Sequence, residues 1–149
     1  LTLFYPMASI ELIARALITQ GNKILLAHKI GEVNTFLPGG HLEEGEFAEE
    51  ALRRELFEEL GKELEIGEFI GVLEHKFTDR QGRRYEEVNL IFKVELAIER
   101  VSSAEKHLEF IWLKPDELEE YNLYPTSLPQ LIRDWGNKGK RFHYTQLDK

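Results

Sequence analysis

Between Gly40 and Lys62 the chain sets three carboxylates, Glu55, Glu58 and Glu59, at i, i+3 and i+4. They sit beside Leu52, Leu56 and Leu60, an i, i+4, i+8 stripe flanked by Ala48 and Ala51. That stripe dictates a helix with one face on a core, read here over residues 46 to 60 and stopped by Gly61. At ~100° per residue, the three glutamates fall within an arc of roughly 100° on that helix. Like charges at this spacing destabilise an isolated helix by roughly 0.2–0.5 kcal/mol per pair. A cation bound between them reverses the sign. Hard divalent ions prefer carboxylate, carbonyl and water oxygens, so the cluster is a candidate site for Mg²⁺ or Mn²⁺. It follows a Pro38-Gly39-Gly40 turn, where glycine permits backbone geometry closed to other residues. The small Ala48 and Ala51 suggest that the glycine loop crosses the helix there and brings its carbonyls near the carboxylates.

The flanking segments read as strands with few helices. Residues 10 to 19 and 23 to 28 are apolar runs around a Gln20-Gly21-Asn22 turn, the pattern of a hairpin. Phe36-Leu37 is a short strand leading into the glycines. Residues 63 to 75, 84 to 98 and 108 to 113 are further strands. Pro115 opens a short helix through Glu120, and Ser127 to Trp135 form a last amphipathic helix. The mixture gives an α/β or α+β class and no finer assignment. We expect one domain over residues 7–139, preceded by a leader or cloning remnant at 1–6. A polar, weakly ordered tail is expected over 140–149.

Composition narrows the function classes. A length of 149 residues with 42% apolar residues suits a single domain with a sizeable core. Without cysteine there is neither a disulfide framework nor a thiolate metal site, which is compatible with a cytoplasmic setting. No apolar run approaches the ~20 residues of a membrane span. The net charge of −8 argues against non-specific binding to nucleic acid or anionic membranes. It also sits awkwardly with a phosphate substrate unless metal ions offset it.

The segment Gly40, Glu46, Arg54-Glu55-Leu56, Glu58-Glu59 and Gly61 resembles the Nudix box: G, five residues, E, seven residues, R-E-U-x-E-E-x-G-U, with U a bulky aliphatic. Only Lys62 departs, standing where an aliphatic is expected; Leu64 or Ile66 can take over its packing. The Phe36-to-Gly40 lead-in and Trp112 followed by Asp116-Glu117-Leu118 also resemble the family, so the likeness spans roughly residues 9 to 135. It implies an α/β/α sandwich with a central mixed β-sheet and a loop-helix-loop box. It further implies Mg²⁺- or Mn²⁺-dependent hydrolysis of a pyrophosphate bond in a nucleoside diphosphate linked to a moiety X. X is open: a phosphate (in a nucleoside triphosphate), a sugar, the ribose of an ADP-ribose type, or a second nucleoside. A regulatory module that binds a nucleotide without turnover is the alternative; such modules usually lose the box carboxylates, and this chain keeps them. The partner is then a small nucleoside diphosphate derivative, and a homodimer is compatible with the family.

By the same resemblance Glu58 and Glu59 ligate metal, Glu55 is a ligand or the general base, and the Gly39 carbonyl is a further ligand. Arg54 is expected to orient a box glutamate through a bidentate pair. Glu46, near the helix start, reads as structural. A distal carboxylate is expected from Glu105 or Glu109, with Glu105 in the more loop-like stretch. His28, His41, His75, His107 and His143 show no metal-ligand spacing and read as surface or packing residues, although His41 lies in the box loop within reach of a phosphate. Phe36, Phe77 and Tyr85 are candidates for stacking on a base, with core packing the plainer reading. Arg84, with Arg80 and Arg83, forms a basic hairpin tip that is either a solvated turn or a substrate contact.

Overall fold

In the computed structural model, which describes residues 9–97 and 101–149, the glycine turn is fixed by its neighbour. Strand β1 (Ile10–Gln20) pairs antiparallel with β4 (Gly39–His41) through Ile13, Ala14 and Arg15. Gly39 has φ of +139°, and a Cβ there would lie 2.1 Å from the Ala14 carbonyl oxygen. Only glycine permits this approach. Further along, β1 turns through Gly21-Asn22 into β2 (Lys23–Lys29), the expected hairpin, paired at Thr19 and Gln20.

The remaining strands are β3 (Thr35–Phe36), β5 (Phe69–Thr78), β6 (Arg84–Glu95), β7 (Leu108–Leu113) and β8 (Phe142–Leu147). They form one mixed sheet ordered β3-β2-β1-β6-β5-β8, with β4 on β1 and β7 on β2. β1 runs parallel to β6, and β5 runs parallel to β8. Helix α1 (Ala48–Leu60) covers one face, where Leu52, Leu56 and Leu60 meet Ala14, Ala16, Ile18, Phe92 and Val94. Helix α2 (Leu128–Lys138) covers the other, where Leu128 and Ile132 meet Leu17, Ile70, Leu73 and Ile91. The alternation of β1 therefore feeds two cores. The expected α/β/α sandwich with a central mixed sheet is the fold observed.

Several boundaries differ, each for a local reason. α1 begins at Ala48, not residue 46, because the Glu46 carboxylate is taken by the Glu43 amide at 2.8 Å and by Arg54. It ends at Gly61, left-handed with φ of 67°, as expected. β5 starts at Phe69: its approach is held by Gly67, whose amide donates to the Lys93 carbonyl at 2.8 Å, and a bulge follows at Phe69/Gly71. The expected short helix is a single 3-10 turn, Pro115–Glu117. α2 runs past Gly136 to Lys138 and is capped by Gly139.

The weakly ordered tail expected over 140–149 is instead strand β8, in register with Gly71 to Lys76. Its polar composition fits an edge strand whose outer side faces water. The expected leader at 1–6 lies outside the described residues. Lys62 is exposed, and Leu64 and Ile66 pack against the α1 core in its place. Among the described residues no helix is long and apolar enough to cross a membrane.

Gly39→Ala is expected to destabilise the protein by at least ~2 kcal/mol, since strain at a disfavoured φ of order 1–3 kcal/mol adds to a backbone clash. Gly82→Ala, also at positive φ but with open space around it, should cost less. Urea midpoints of the two variants check the difference.

Candidate active site

Arg54 organises the box. Its Nε and Nη2 donate to Glu46 at 2.8 and 2.9 Å, its Nη1 to Glu55 at 3.0 Å, and its Nη2 also to the His41 carbonyl at 3.0 Å. The bidentate partner is thus Glu46, and Glu55 is held end-on. Arg54 and the Glu43 amide hold the Glu46 carboxyl down at about 2. The pair ties loop to helix and makes Glu46 a structural residue.

Glu55 lies against the glycine turn: a Cβ at Gly40 would fall 2.4 Å from its carboxyl carbon. The loop therefore crosses α1 at Glu55, and Gly40 makes the room. One turn on, Glu59 is 8% exposed, and its Oε2 has no hydrogen-bond partner among the described residues. Burial, then the charge on Glu55, push its carboxyl up to about 8, against the pull of Arg15 and the Gly39 amide. The Gly39 amide thus faces Glu59. The Glu59 backbone carbonyl accepts from the Ala104 amide at 2.8 Å, which fastens to the helix end the loop that carries Glu105.

These groups line one cleft of about 320 Å³ containing Phe36, Gly39, Gly40, Glu55, Glu59 and Glu105, with Arg15, Lys29, His41 and His107 as its basic side chains. A smaller chamber of about 100 Å³ adjoins it, sharing Arg15, Phe36 and Leu37 and adding Phe77, Glu87, Asn89 and Tyr124. A wider groove at the hairpin end of β1, around Gly21 and Lys93, contains none of these carboxylates.

The structure brings together Glu55, Glu59, Gly39, Glu105, Phe36 and His41. It does not bring in three others. Glu109 lies on β7, bonded to His28 at 2.7 Å and facing a separate depression, because strand alternation turns it away from the loop side. Arg84 opens β6 opposite Thr78, outside both cavities. Glu58 stands on the rim with its side chain 49% exposed, 3.4 Å from Arg54, and lines the outer groove with Phe57 and Leu64.

Sequence reasoning passed over Arg15, Glu87 and Tyr124, and read His75 as a surface or packing histidine. Arg15 is half-buried and donates to the Leu37 carbonyl at 3.1 Å. Burial lowers its pKa, opposed by Glu87, Glu59 and Glu55. A lone arginine inside an apolar strand was the available signal, since an arginine is buried only when paired. His75 is fully buried against Phe77 and Tyr124, and no spacing rule points to it.

Among the described residues no three metal-ligating side chains stand close enough to hold an ion as they are. Glu55 and Glu58 each have an oxygen on Arg54. The orphaned Oε2 of Glu59 beside Glu55 and Glu105, all hard oxygen donors, nevertheless fits a divalent cation.

Comparison with known proteins identifies the family. The chain matches the NUDIX domain over residues 11–134. It is 34% identical over 93 residues to the nucleoside triphosphatase NudI of Escherichia coli O139:H28, a match covering 58% of this chain and 66% of that protein. The chain thus spans slightly less than two thirds of the curated relatives it matches. Its fold resembles the mutator protein MutT from Bacillus halodurans (TM-score 0.69, 25% identity, covering 91% of this chain and 90% of that one). It also resembles the ORF135 protein of E. coli (TM-score 0.66, 26% identity, covering 87% and 91%). With 124 of its residues inside one family match, and the box geometry in place, the chain belongs to the NUDIX domain family.

Proposed function

We propose that this protein hydrolyses a pyrophosphate bond in a nucleoside diphosphate linked to a moiety X, using Mg²⁺ or Mn²⁺. One observation carries the reading: a buried carboxylate with an orphaned oxygen, Glu59, faces a cleft it shares with Glu55 and Glu105. Burying an ionised carboxylate unpaired is costly, and a cation in the cleft removes that cost.

Glu59 is the inner ligand in this reading, with Glu105 as the distal carboxylate, the Gly39 backbone beside them and Glu58 joining from the rim, which leaves the free oxygen of Glu55 for proton transfer. A bound divalent ion supplies charge neutralisation on the phosphate oxygens and acidifies water. Glu55, oriented by Arg54, takes the proton from the attacking water as its oxygen bonds to phosphorus. The bridging P–O bond breaks, and its electrons leave on the departing phosphate. Arg15 and Lys29 face the remaining negative charge, which answers the awkwardness of a −8 chain binding an anion. The aromatic chamber of Phe36, Phe77 and Tyr124 suits the nucleoside. The relative named a nucleoside triphosphatase supports a triphosphate as the first substrate to try. Binding without turnover is disfavoured because the full carboxylate set is kept. A panel of nucleoside triphosphates, nucleotide sugars, ADP-ribose and dinucleotides, assayed with each metal for phosphate products, tests the proposal. No turnover of any would overturn it.

Glu59→Gln should lower kcat by at least ~100-fold while the metal-free protein at pH 7 melts no lower than wild type, because a neutral amide replaces a carboxyl that burial already keeps protonated. Steady-state kinetics and thermal melts check both halves.

The raised carboxyl of Glu59 also makes the metal-free protein pH-sensitive. Its pKa of about 8 lies above the ordinary value of 4.5, so the folded state holds a proton the unfolded state has lost. That contribution is complete below pH ~4.5 and disappears as pH rises through ~8. Metal binding must displace the same proton. Calorimetric titration with Mg²⁺ at pH 7 in buffers of different ionisation enthalpy should show proton release, approaching one per site and absent in Glu59→Gln.

A further inference from the structure

Strand β8 brings two side chains to the back of the aromatic chamber. The Asp148 amide donates to the Lys76 carbonyl at 2.9 Å, which seats the residue just past the strand. Its Oδ2 accepts from His75 Nε2 at 2.8 Å and from the Tyr124 hydroxyl at 3.3 Å. Gln146 donates to Asp148 and, at 3.0 Å, to Thr126 Oγ1; its own carbonyl accepts from the Ser127 amide at 3.2 Å. The segment Tyr124 to Ser127, one wall of the chamber, is therefore fastened to β8 by side chains.

His75 stands between that wall and the chamber floor. Its ring stacks on Phe77 (4.7 Å, 26°) and meets Tyr124 edge-on at 5.2 Å. Its Nδ1 has no hydrogen-bond partner among the described residues and lies 3.8 Å from Glu87, which lines the chamber with Arg15. Burial alone would push His75 down, but Glu87 and Asp148 outweigh it and hold its pKa above the ordinary value. A protonated ring in so dry a place depends on its carboxylates. Asp148 is the nearer of the two, and its side chain is 39% exposed, well outside the hydrophobic cores.

We propose that Asp148 is a positioning residue for substrate binding: through His75 and Tyr124 it fixes the aromatic wall and the Glu87 floor of the chamber that receives the nucleoside. This rests on the nucleotide reading above. Asp148 touches neither the cleft carboxylates nor the phosphates, so its loss acts on binding and not on the chemical step.

The test is Asp148→Asn in the full chain, which keeps the shape and removes the charge. With the fastest of the four common ribonucleoside triphosphates, KM should rise about tenfold while kcat stays within twofold; Asp148→Glu, which restores the charge, should recover much of the loss. A second arm measures the dissociation constant of the matching nucleoside monophosphate in chelator, where about the same tenfold weakening is expected. An unchanged KM and dissociation constant, or a fall in kcat at constant KM, overturns the proposal. Should Asp148→Asn fail to fold, Tyr124→Phe removes only the tethered hydroxyl; it should raise KM in the same way, and an unchanged KM again overturns the proposal. If wild type turns over none of the triphosphates, that speaks against triphosphate hydrolysis, and the monophosphate arm, run with all four bases, decides the role of Asp148. Wild type that binds none of them overturns the chamber assignment as well.

Discussion

A carboxylate kept out of water without a partner is the constraint around which this molecule is arranged. Glu59 sits on the core side of α1, between the apolar stripe and the glycine turn, with one oxygen satisfied by nothing among the described residues. Every neighbour serves to keep it there. Gly40 lets the loop lie directly on Glu55, Arg54 ties that loop to the helix through Glu46, and the Ala104 amide closes the helix end. The arrangement makes this carboxyl costly to ionise, and in the proposed function an ion completing the site would recover that cost.

Much of this was legible in the sequence because it is local. Glutamates at i, i+3 and i+4, a leucine stripe and a helix-stopping glycine are statements about one helix, and the helix formed and stopped as read, starting two residues later. Glu105 was preferred to Glu109 on its loop-like setting, and strand β7 explains the preference: once residues 108 to 113 pair with β2, Glu109 is turned to His28. The hidden part is the part made by distant pairing. Arg15 and Glu87 meet because β1 and β6 lie side by side in parallel, more than seventy residues apart in the chain. The order of the tail was missed for the same reason. Its residues are polar and short of apolar partners, and only the free edge of β5 makes a strand of them.

Glu58 shows how spacing overstates equivalence. Three carboxylates within one arc look interchangeable on a helical wheel, yet they occupy three environments. Glu59 is buried, Glu55 is clamped between a guanidinium and a glycine, and Glu58 is at the rim in solvent. A difference in environment divides the work among chemically identical side chains, with proton affinity set by burial and orientation set by Arg54.

The fork in β1 has a consequence for how such a site changes. One edge of β1 is shared by two partners, β4 at Ile13 to Arg15 and β2 at Thr19 and Gln20, and the Pro38 carbonyl takes the Ala16 amide between them. The cleft and its chamber open where that ladder divides. Their width at the base is thus set by main-chain hydrogen bonds, which substitutions of the wall side chains leave in place; Gly39, packed on the Ala14 carbonyl, is a position that does not tolerate one. Under the proposed function, new specificity would have to come from the walls, Phe36, Phe77, Tyr124 and Glu87, while the spacing of the cleft carboxylates from Arg15 and Lys29 stays constant. The scaffold separates what a substrate must have in common with others from what may vary, and the strand fork is where the two meet.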